Sequence, residues 1–228
     1  MRCFRYKLDH DYGFAPNPFW GVLSLATCKA QLRHNKHLQI GDWIAGFGST
    51  EMGNLGRLIY AMRVERILTF DKYWNSPEFL CKRPVLNGTL CQMYGDNVYH
   101  TVGGKVIQEH CAHSLESGEP NKGHYDTDVS GANVLLSREF YYFGDQAPEI
   151  PNNLNYMLPY RNVQFHDLKE DQIRAFVSWL ESNYTIGIHG DPCNWKEQIL
   201  FVIFYARPNP FVRSPQRKTL SNHHFAHK

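Results

Sequence analysis

Residues 40–67 read I-G-D-W-I-A-G-F-G-S-T-E-M-G-N-L-G-R-L-I-Y-A-M-R-V-E-R-I, and the reading of this stretch decides the fold. Gly41-Asp42 reads as a tight turn feeding a short strand from Trp43 to Phe47. A loop with Gly48, Gly53 and Gly56 follows, then a long strand from Arg57 to about Ile67. Glycine marks points where the backbone takes φ > 0 or passes close to something else. Ser49 and Thr50 stand at the mouth of this loop, so the pattern predicts a hollow at the glycine hinge, flanked by flat side chains and sized for one heterocycle. A phosphate cradle is the competing interpretation. Such cradles need their glycines to open a helix, whose N-terminal N–H groups hold the phosphate. Here Leu58, Tyr60, Met62 and Val64 alternate with Arg63 and Glu65, which is a strand pattern, and no Gly-Lys-Ser/Thr is present.

Working outward toward the N-terminus, Phe4–Leu8 reads as a first strand. The segment 11–21, D-Y-G-F-A-P-N-P-F-W-G, interrupts it, because two prolines flanking Asn17 forbid helix. Tyr12, Phe14, Phe19 and Trp20 make it too aromatic for a plain solvated loop. It reads either as a stacking wall for a planar ligand or as an aromatic lid on a barrel. Val22–Ala26 reads as a second strand, and Thr27 as the cap of a helical turn from Cys28 to Arg33. Lys29 and Arg33, with His34, Lys36 and His37, form the clearest basic cluster of this half.

Toward the C-terminus, Thr69 caps a short helix whose Phe70, Tyr73 and Trp74 should face inward. Residues 81–131 are rich in glycine and read as a long loop-like insertion, within which Tyr94-Gly95-Asp96-Asn97-Val98-Tyr99-His100 concentrates polar and aromatic groups. Strands are expected at 134–136 and 139–143, followed by a proline-containing linker. Asp167 and Glu170 make a capping signal for a helix over about 167–183, with Ile173, Phe176, Val177 and Leu180 as its apolar stripe. Ile199–Ala206 reads as a last core element, and 207–228 as a basic, proline-rich, disordered tail. A single domain over 1–206 accounts for this order.

Composition bounds what such a domain does. The net charge of the 228 residues is only +2, too little for a protein that coats nucleic acid through many phosphate contacts, though a local basic groove is compatible with it. The six cysteines, Cys3, Cys28, Cys81, Cys91, Cys111 and Cys193, form no C-x-x-C pair and read as reduced, packed thiols. Neither an apolar leader nor a membrane-spanning run is found, and a cytoplasmic location with no membrane partner is expected.

Chemistry is harder to place. His110, His113, His124, Asp126 and Asp128 are the best metal candidates, but the loop between them positions ligands poorly, and neither a metal site nor a cofactor is expected. Asp96 and His100 are the candidate acid and base. No Gly-x-Ser-x-Gly elbow is present and no cysteine stands in a recognisable nucleophile context.

The strings D-Y-G-F-A-P-N-P-F-W-G, G-D-W-I-A-G-F-G-S, G-R-L-I-Y-A-M-R-V, F-D-K-Y-W and Y-G-D-N-V-Y-H together resemble a bacterial and phage family, nucleotide modification associated domain 2, over roughly residues 1–150. That resemblance implies a setting of DNA-base modification more than a reaction. The order of turn, strand, Ser-ended loop, strand and helix is also similar to PUA-like barrels, which hold a nucleobase in an aromatic pocket. The expectation is therefore an α+β, PUA-like mixed β-barrel with flanking helices that recognises a modified nucleobase or nucleotide in DNA or RNA. Phe14, Phe19, Trp20, Trp43 and Tyr94 would line the base site. Asn17, Ser49, Asp96 and Asn97 would hydrogen-bond its edges, and Lys29 and Arg33 would steer phosphate. Other proteins of a modification or defence system are further expected partners. The alternative is an enzyme that modifies or hydrolyses a nucleotide through Asp96 and His100.

Overall fold

A computed structural model describes residues 1–160 and 163–196, with one unit running from Met1 to Trp195. The expected core element at 199–206 and the tail at 207–228 lie outside the described residues. The elements follow in order: β1 (Cys3–Lys7), β2 (Leu23–Leu25), α1 (Ala30–Arg33), β3 (Trp43–Phe47), β4 (Leu58–Arg63), β5 (Arg66–Thr69), α2 (Phe70–Asn75), α3 (Leu90–Met93), β6 (Tyr99–Val102), β7 (Lys105–Gln108), α4 (Lys122–Ser130), β8 (Asn133–Ser137), β9 (Phe140–Tyr142), β10 (Val163–Gln164), α5 (Glu170–Asn183) and β11 (Gly187–Ile188).

The fold is α+β. The main sheet has the order β10-β1-β3-β4-β9-β11, and a second sheet has the order β2-β8-β5. β1 runs parallel to β3, pairing Phe4 with Ile44, while β3 and β4 are antiparallel. The described strands do not close into a barrel, because the main sheet ends on β10 and β11, two-residue strands paired on one side.

The strand expected from Arg57 to Ile67 is two strands in two sheets. The hand-off falls at Val64-Glu65, where successive N–H groups turn to different sheets. Val64 donates to the carbonyl of Asp42 at 2.8 Å, beside the main sheet, and Glu65 donates to that of Leu136 at 2.9 Å, in the second. β8 and β9 cross in the same place, with Arg63 donating to the Glu139 carbonyl at 3.0 Å. Apolar alternation persists through such a transfer, because each sheet buries a face, so periodicity alone does not reveal it.

The glycine loop between β3 and β4 is packed by its own residues. A β-carbon on Gly48 would stand 2.0 Å from Asn54 Oδ1 and 2.3 Å from the Asn54 carbonyl oxygen, so the close approach that requires glycine is chain against chain. Space suited to a ligand is found beside the second sheet instead.

Residues 81–131 are more structured than their composition predicts. Gly103 and Gly104, both with positive φ, form the two-residue turn of the β6–β7 hairpin. α4 follows, and both elements pack under the second sheet around Phe14, Val22, Phe70, Tyr73, Phe79, Val98, Tyr99, Val134 and Leu136. α5 begins at Glu170, later than expected, because Asp167 is engaged by Arg5 and Gln164 and Lys169 takes the capping position. Ile173, Phe176 and Leu180 are buried as the stripe predicts. Among the described residues no helix is long and apolar enough to cross a membrane.

Candidate active site

The second sheet delivers its first strand directly to a cysteine. β2 ends at Leu25, and the chain then turns sharply, with φ of 52° at Cys28 and 39° at Lys29. Two successive non-glycine residues in the left-handed region cost on the order of 1–3 kcal/mol each and persist only where surroundings enforce them. Thr27 was expected to cap the following helix, but Lys29 occupies that position. The turn is held from two sides. Cys28 N–H donates to Asp128 Oδ1 at 2.5 Å, and Arg33 Nε donates to the Cys28 carbonyl at 2.8 Å.

This turn sets Cys28 Sγ 3.5 Å from His113 Nε2. The other ring nitrogen, Nδ1, lies 2.7 Å from Asp128 Oδ2, which also accepts the Tyr99 hydroxyl at 2.9 Å. Thiol, imidazole and carboxylate therefore stand in line, with the ring bridging the other two. His113 and Asp128 are buried and Cys28 is half-buried. Burial opposes a charge on His113, but the hydrogen bonds to Asp128 and Cys28 outweigh it and push the imidazole up to about 10. The ring is clamped by His124, stacked at 4.2 Å, and by the edge-on Phe14 at 4.8 Å. Burial, and then the neighbouring His113, lower the pKa of His124.

Arg33 ties the arrangement together. Besides the Cys28 carbonyl, its buried guanidinium donates to the carbonyls of Asp128 at 2.5 Å and Asn133 at 2.8 Å. Gly131 makes room for it, since a β-carbon there would meet the guanidinium carbon at 2.4 Å.

A cavity of about 310 Å³ opens over the thiol, lined by His10, Tyr12, Phe14, Tyr94, His113 and His124. The rings of Tyr12 and Tyr94 are nearly parallel, 5.6 Å apart at 12°. A nucleophile, an imidazole whose cation can stabilise its thiolate and a carboxylate that orients the imidazole are thus assembled at an aromatic pocket. A soft metal ion is the other occupant this donor set admits. The 3.5 Å between Sγ and Nε2 suits one edge of a zinc tetrahedron of roughly 2.3 Å Zn–S and 2.0 Å Zn–N bonds. Asp128 would then orient His113 through Nδ1, leaving two protein ligands where catalytic zinc usually has about three.

A family model described as nucleotide modification associated domain 2 matches residues 1–199. The chain belongs to that family. No curated protein and no solved structure matches it.

Of the residues singled out from the sequence of this nucleotide modification associated domain, Phe14 and Tyr94 line the cavity over the thiol and Lys29 lines a second one that adjoins it, the two making a groove. His113, His124 and Asp128 of the metal candidates also line the groove, whereas Asp126 pairs with Lys122 at 2.6 Å. Asn17 is an internal strut whose carbonyl and Oδ1 accept from the buried Lys82 at 2.9 and 2.7 Å, and whose amide donates to the Tyr94 carbonyl at 2.8 Å. Arg33 is buried and turned inward, held by the three carbonyls. Trp43 is buried in the main core, Phe19 is stacked on Trp195 at 5.4 Å, and Trp20 is exposed. Ser49 is buried in the packed glycine loop. Asp96 and His100 make separate attachments. Asp96 is buried and accepts the Tyr73 hydroxyl at 2.8 Å, while His100 pairs with Glu109 at 2.7 Å and stacks on Trp74. Asn97 Nδ2 donates to the carbonyls of Tyr73 and Phe79, fixing the segment behind Tyr94.

Cys28 is the residue the sequence reading passed over. The signal was present as a strand, a sharp turn bearing a nucleophile, and a short helix. What the sequence lacked was any pointer across the 85 residues to His113.

Proposed function

We propose that this chain is a thiol-dependent enzyme of a nucleotide modification system, which receives a modified nucleobase or nucleotide in the aromatic groove and acts on it through Cys28. The observation that carries this reading is the single imidazole joining Cys28 Sγ to Asp128. Membership of the family supplies the setting. His113, held as the imidazolium by Asp128, stabilises Cys28 Sγ as a thiolate while the thiol proton passes to solvent and Sγ forms a bond to an electrophilic carbon of the substrate. His113 then gives its Nε2 proton to the departing group and regains one from solvent, and the thio-intermediate is released to water or to an acceptor. The acid/base roles expected of Asp96 and His100 pass in this reading to Asp128 and His113.

Recognition without chemistry is a second reading, favoured by the parallel Tyr12 and Tyr94 rings, since stacking holds about 1–3 kcal/mol per base. One experiment divides the two. Modified and unmodified nucleosides, nucleotides and oligonucleotides are screened for binding and turnover with wild type, Cys28→Ala and, as a control thiol, Cys81→Ala. Turnover lost only in Cys28→Ala, with binding retained, is the expected result. Binding without turnover in all three proteins leaves the recognition reading, and turnover abolished by a chelator identifies a metal enzyme.

A further inference from the structure

The cavity over the thiol is one part of a longer groove. It shares His10, Ala15, Cys28, His113 and His124 with a second cavity of about 170 Å³. That one shares Asp9, Lys29 and Thr127 with a third of about 260 Å³, also lined by Lys7 and Gln31. The three form a continuous path whose ends differ in chemistry. Tyr12, Phe14 and Tyr94 make one end flat and aromatic, and Lys7 and Lys29 make the other cationic.

We propose that this groove takes a single nucleotide, its base against Tyr12 and Tyr94 and its phosphate at Lys7 and Lys29, with Cys28 between the two. The proposal rests on the nucleotide-processing reading above and specifies its substrate as a phosphorylated monomer rather than a nucleoside or a polymer. Position supports the order, because Cys28 and His113 line the two cavities at the aromatic end and Lys29 is the next residue along the chain. Available charge supports the cationic end. Among the described residues neither Lys7 nor Lys29 forms a close ion pair. Lys29 Nζ donates to the Lys7 carbonyl at 3.2 Å and lies 4.9 Å from the Tyr6 ring, which fixes the ammonium without neutralising it. Asp9 is the one carboxylate lining the same end, so that lining carries a net positive charge suited to one phosphate; the exposed Glu51, outside the lining, also interacts with Lys7. A polymer backbone would need a row of cations, which two lysines and a net charge of +2 do not provide.

The test reads protection of Cys28 rather than turnover. Site-resolved carbamidomethylation by iodoacetamide is followed by mass spectrometry, with exposed Cys81 as the internal reference. The probes are thymidine, deoxycytidine, 5-hydroxymethyldeoxyuridine, their 5′-monophosphates, inorganic phosphate and a single-stranded oligonucleotide. A monophosphate is expected to protect Cys28 at about one-tenth the concentration its nucleoside needs, the worth of one charge-assisted contact. That advantage should vanish in Lys7→Gln/Lys29→Gln and shrink in Lys7→Gln alone, a single change on a half-buried side chain of β1 that lies outside the Cys28 turn. Equal protection by nucleoside and monophosphate would overturn the phosphate end and leave the thiol enzyme standing. Strongest protection by the oligonucleotide would overturn the single-nucleotide assignment. If no probe alters labelling of Cys28, the groove reading and the proposed function fall together.

Discussion

The main-chain N–H of Cys28 donates to Asp128 Oδ1 at 2.5 Å, while the other oxygen of that carboxylate holds His113. Asp128 therefore fixes the nucleophile through its backbone and the base through its ring. Removing it strands a buried imidazole, the Cys28 N–H and the Tyr99 hydroxyl together. Asp128→Ala is expected to cost about 3–5 kcal/mol in urea unfolding, as for a broken buried charge pair. Asp128→Asn keeps acceptor and donor capacity but no charge, so it should retain most of the stability while slowing alkylation of Cys28 at neutral pH. If the Asn variant alkylates at the wild-type rate, the charge of Asp128 has no part in activating the thiol.

Stability should fall as pH rises from neutrality. His113 is pushed up to about 10 when folded, against an ordinary histidine value near 6.5. Above the lower value the unfolded chain has lost a proton that the folded chain keeps, so this contribution is full below about pH 6.5 and drains away as pH rises through about 10. Lys82 acts in the opposite sense. Burial is the main cause, against the pull of Asp96, of its fall from an ordinary 10.5 to about 8, so its contribution grows only above about pH 8. Between about pH 6.5 and 8 the histidine acts without that opposition. The wild-type Tm should fall across that window, and the slope should flatten in His113→Gln. An unchanged slope in the variant would assign the effect to other groups.

The guanidinium of Arg33 donates to the carbonyls of both Cys28 and Asp128, and it does so in space left by Gly131. Arg33→Lys loses the fork and leaves buried carbonyls unmet, for roughly 2–4 kcal/mol. Gly131→Ala drives a methyl into the guanidinium and should destabilise by a similar route. Because both changes break one arrangement, the double variant should cost clearly less than the two singles combined. Additive losses in chemical denaturation would mean that Gly131 does not act through Arg33.

How much of this was legible in the sequence follows from how locally each feature is encoded. Trp43–Phe47 was readable because a turn, an apolar run and a glycine loop adjoin in the chain. Phe70–Asn75 with its Thr69 cap, whose side chain accepts from Lys72 N at 3.3 Å, was readable for the same reason. The β4–β5 hand-off was not, since both halves alternate identically and only the partners of Val64 and Glu65 tell them apart. Phe14, Lys29 and Tyr94 were recognised by residue type, and they reach the groove. Arg33 and Asn17 were assigned to the ligand on the same basis, although the chain spends their hydrogen bonds internally. His113 and Asp128 were grouped as metal donors by proximity in sequence. Their thiol partner lay on a distant strand end, where no spacing rule reaches.

The buried Lys82 tests whether the aromatic end of the groove is held from behind. Its ammonium lies 2.6–2.9 Å from four acceptors, the carbonyls of Asn17 and Val22, Asn17 Oδ1 and Ser24 Oγ, which share its three N–H groups. It thereby pins the segment 12–24, which carries Tyr12 and Phe14, and through Asn17 it reaches the Tyr94 carbonyl. Burial raises the pKa of Asp96, and the charge of Lys82 opposes that rise. Lys82→Met fills the volume but leaves these acceptors unmet and Asp96 without its counter-charge, so a loss of about 3–5 kcal/mol is expected. Adding Asp96→Asn removes the stranded charge and should recover part of it. Hydrogen exchange should locate the remaining damage, with faster exchange at Asn17 and Ser24, whose N–H groups bond each other's carbonyls at 2.9 Å, and unchanged protection in β3 and β4. Uniform acceleration across both sheets would show instead that Lys82 supports the whole fold rather than the groove wall.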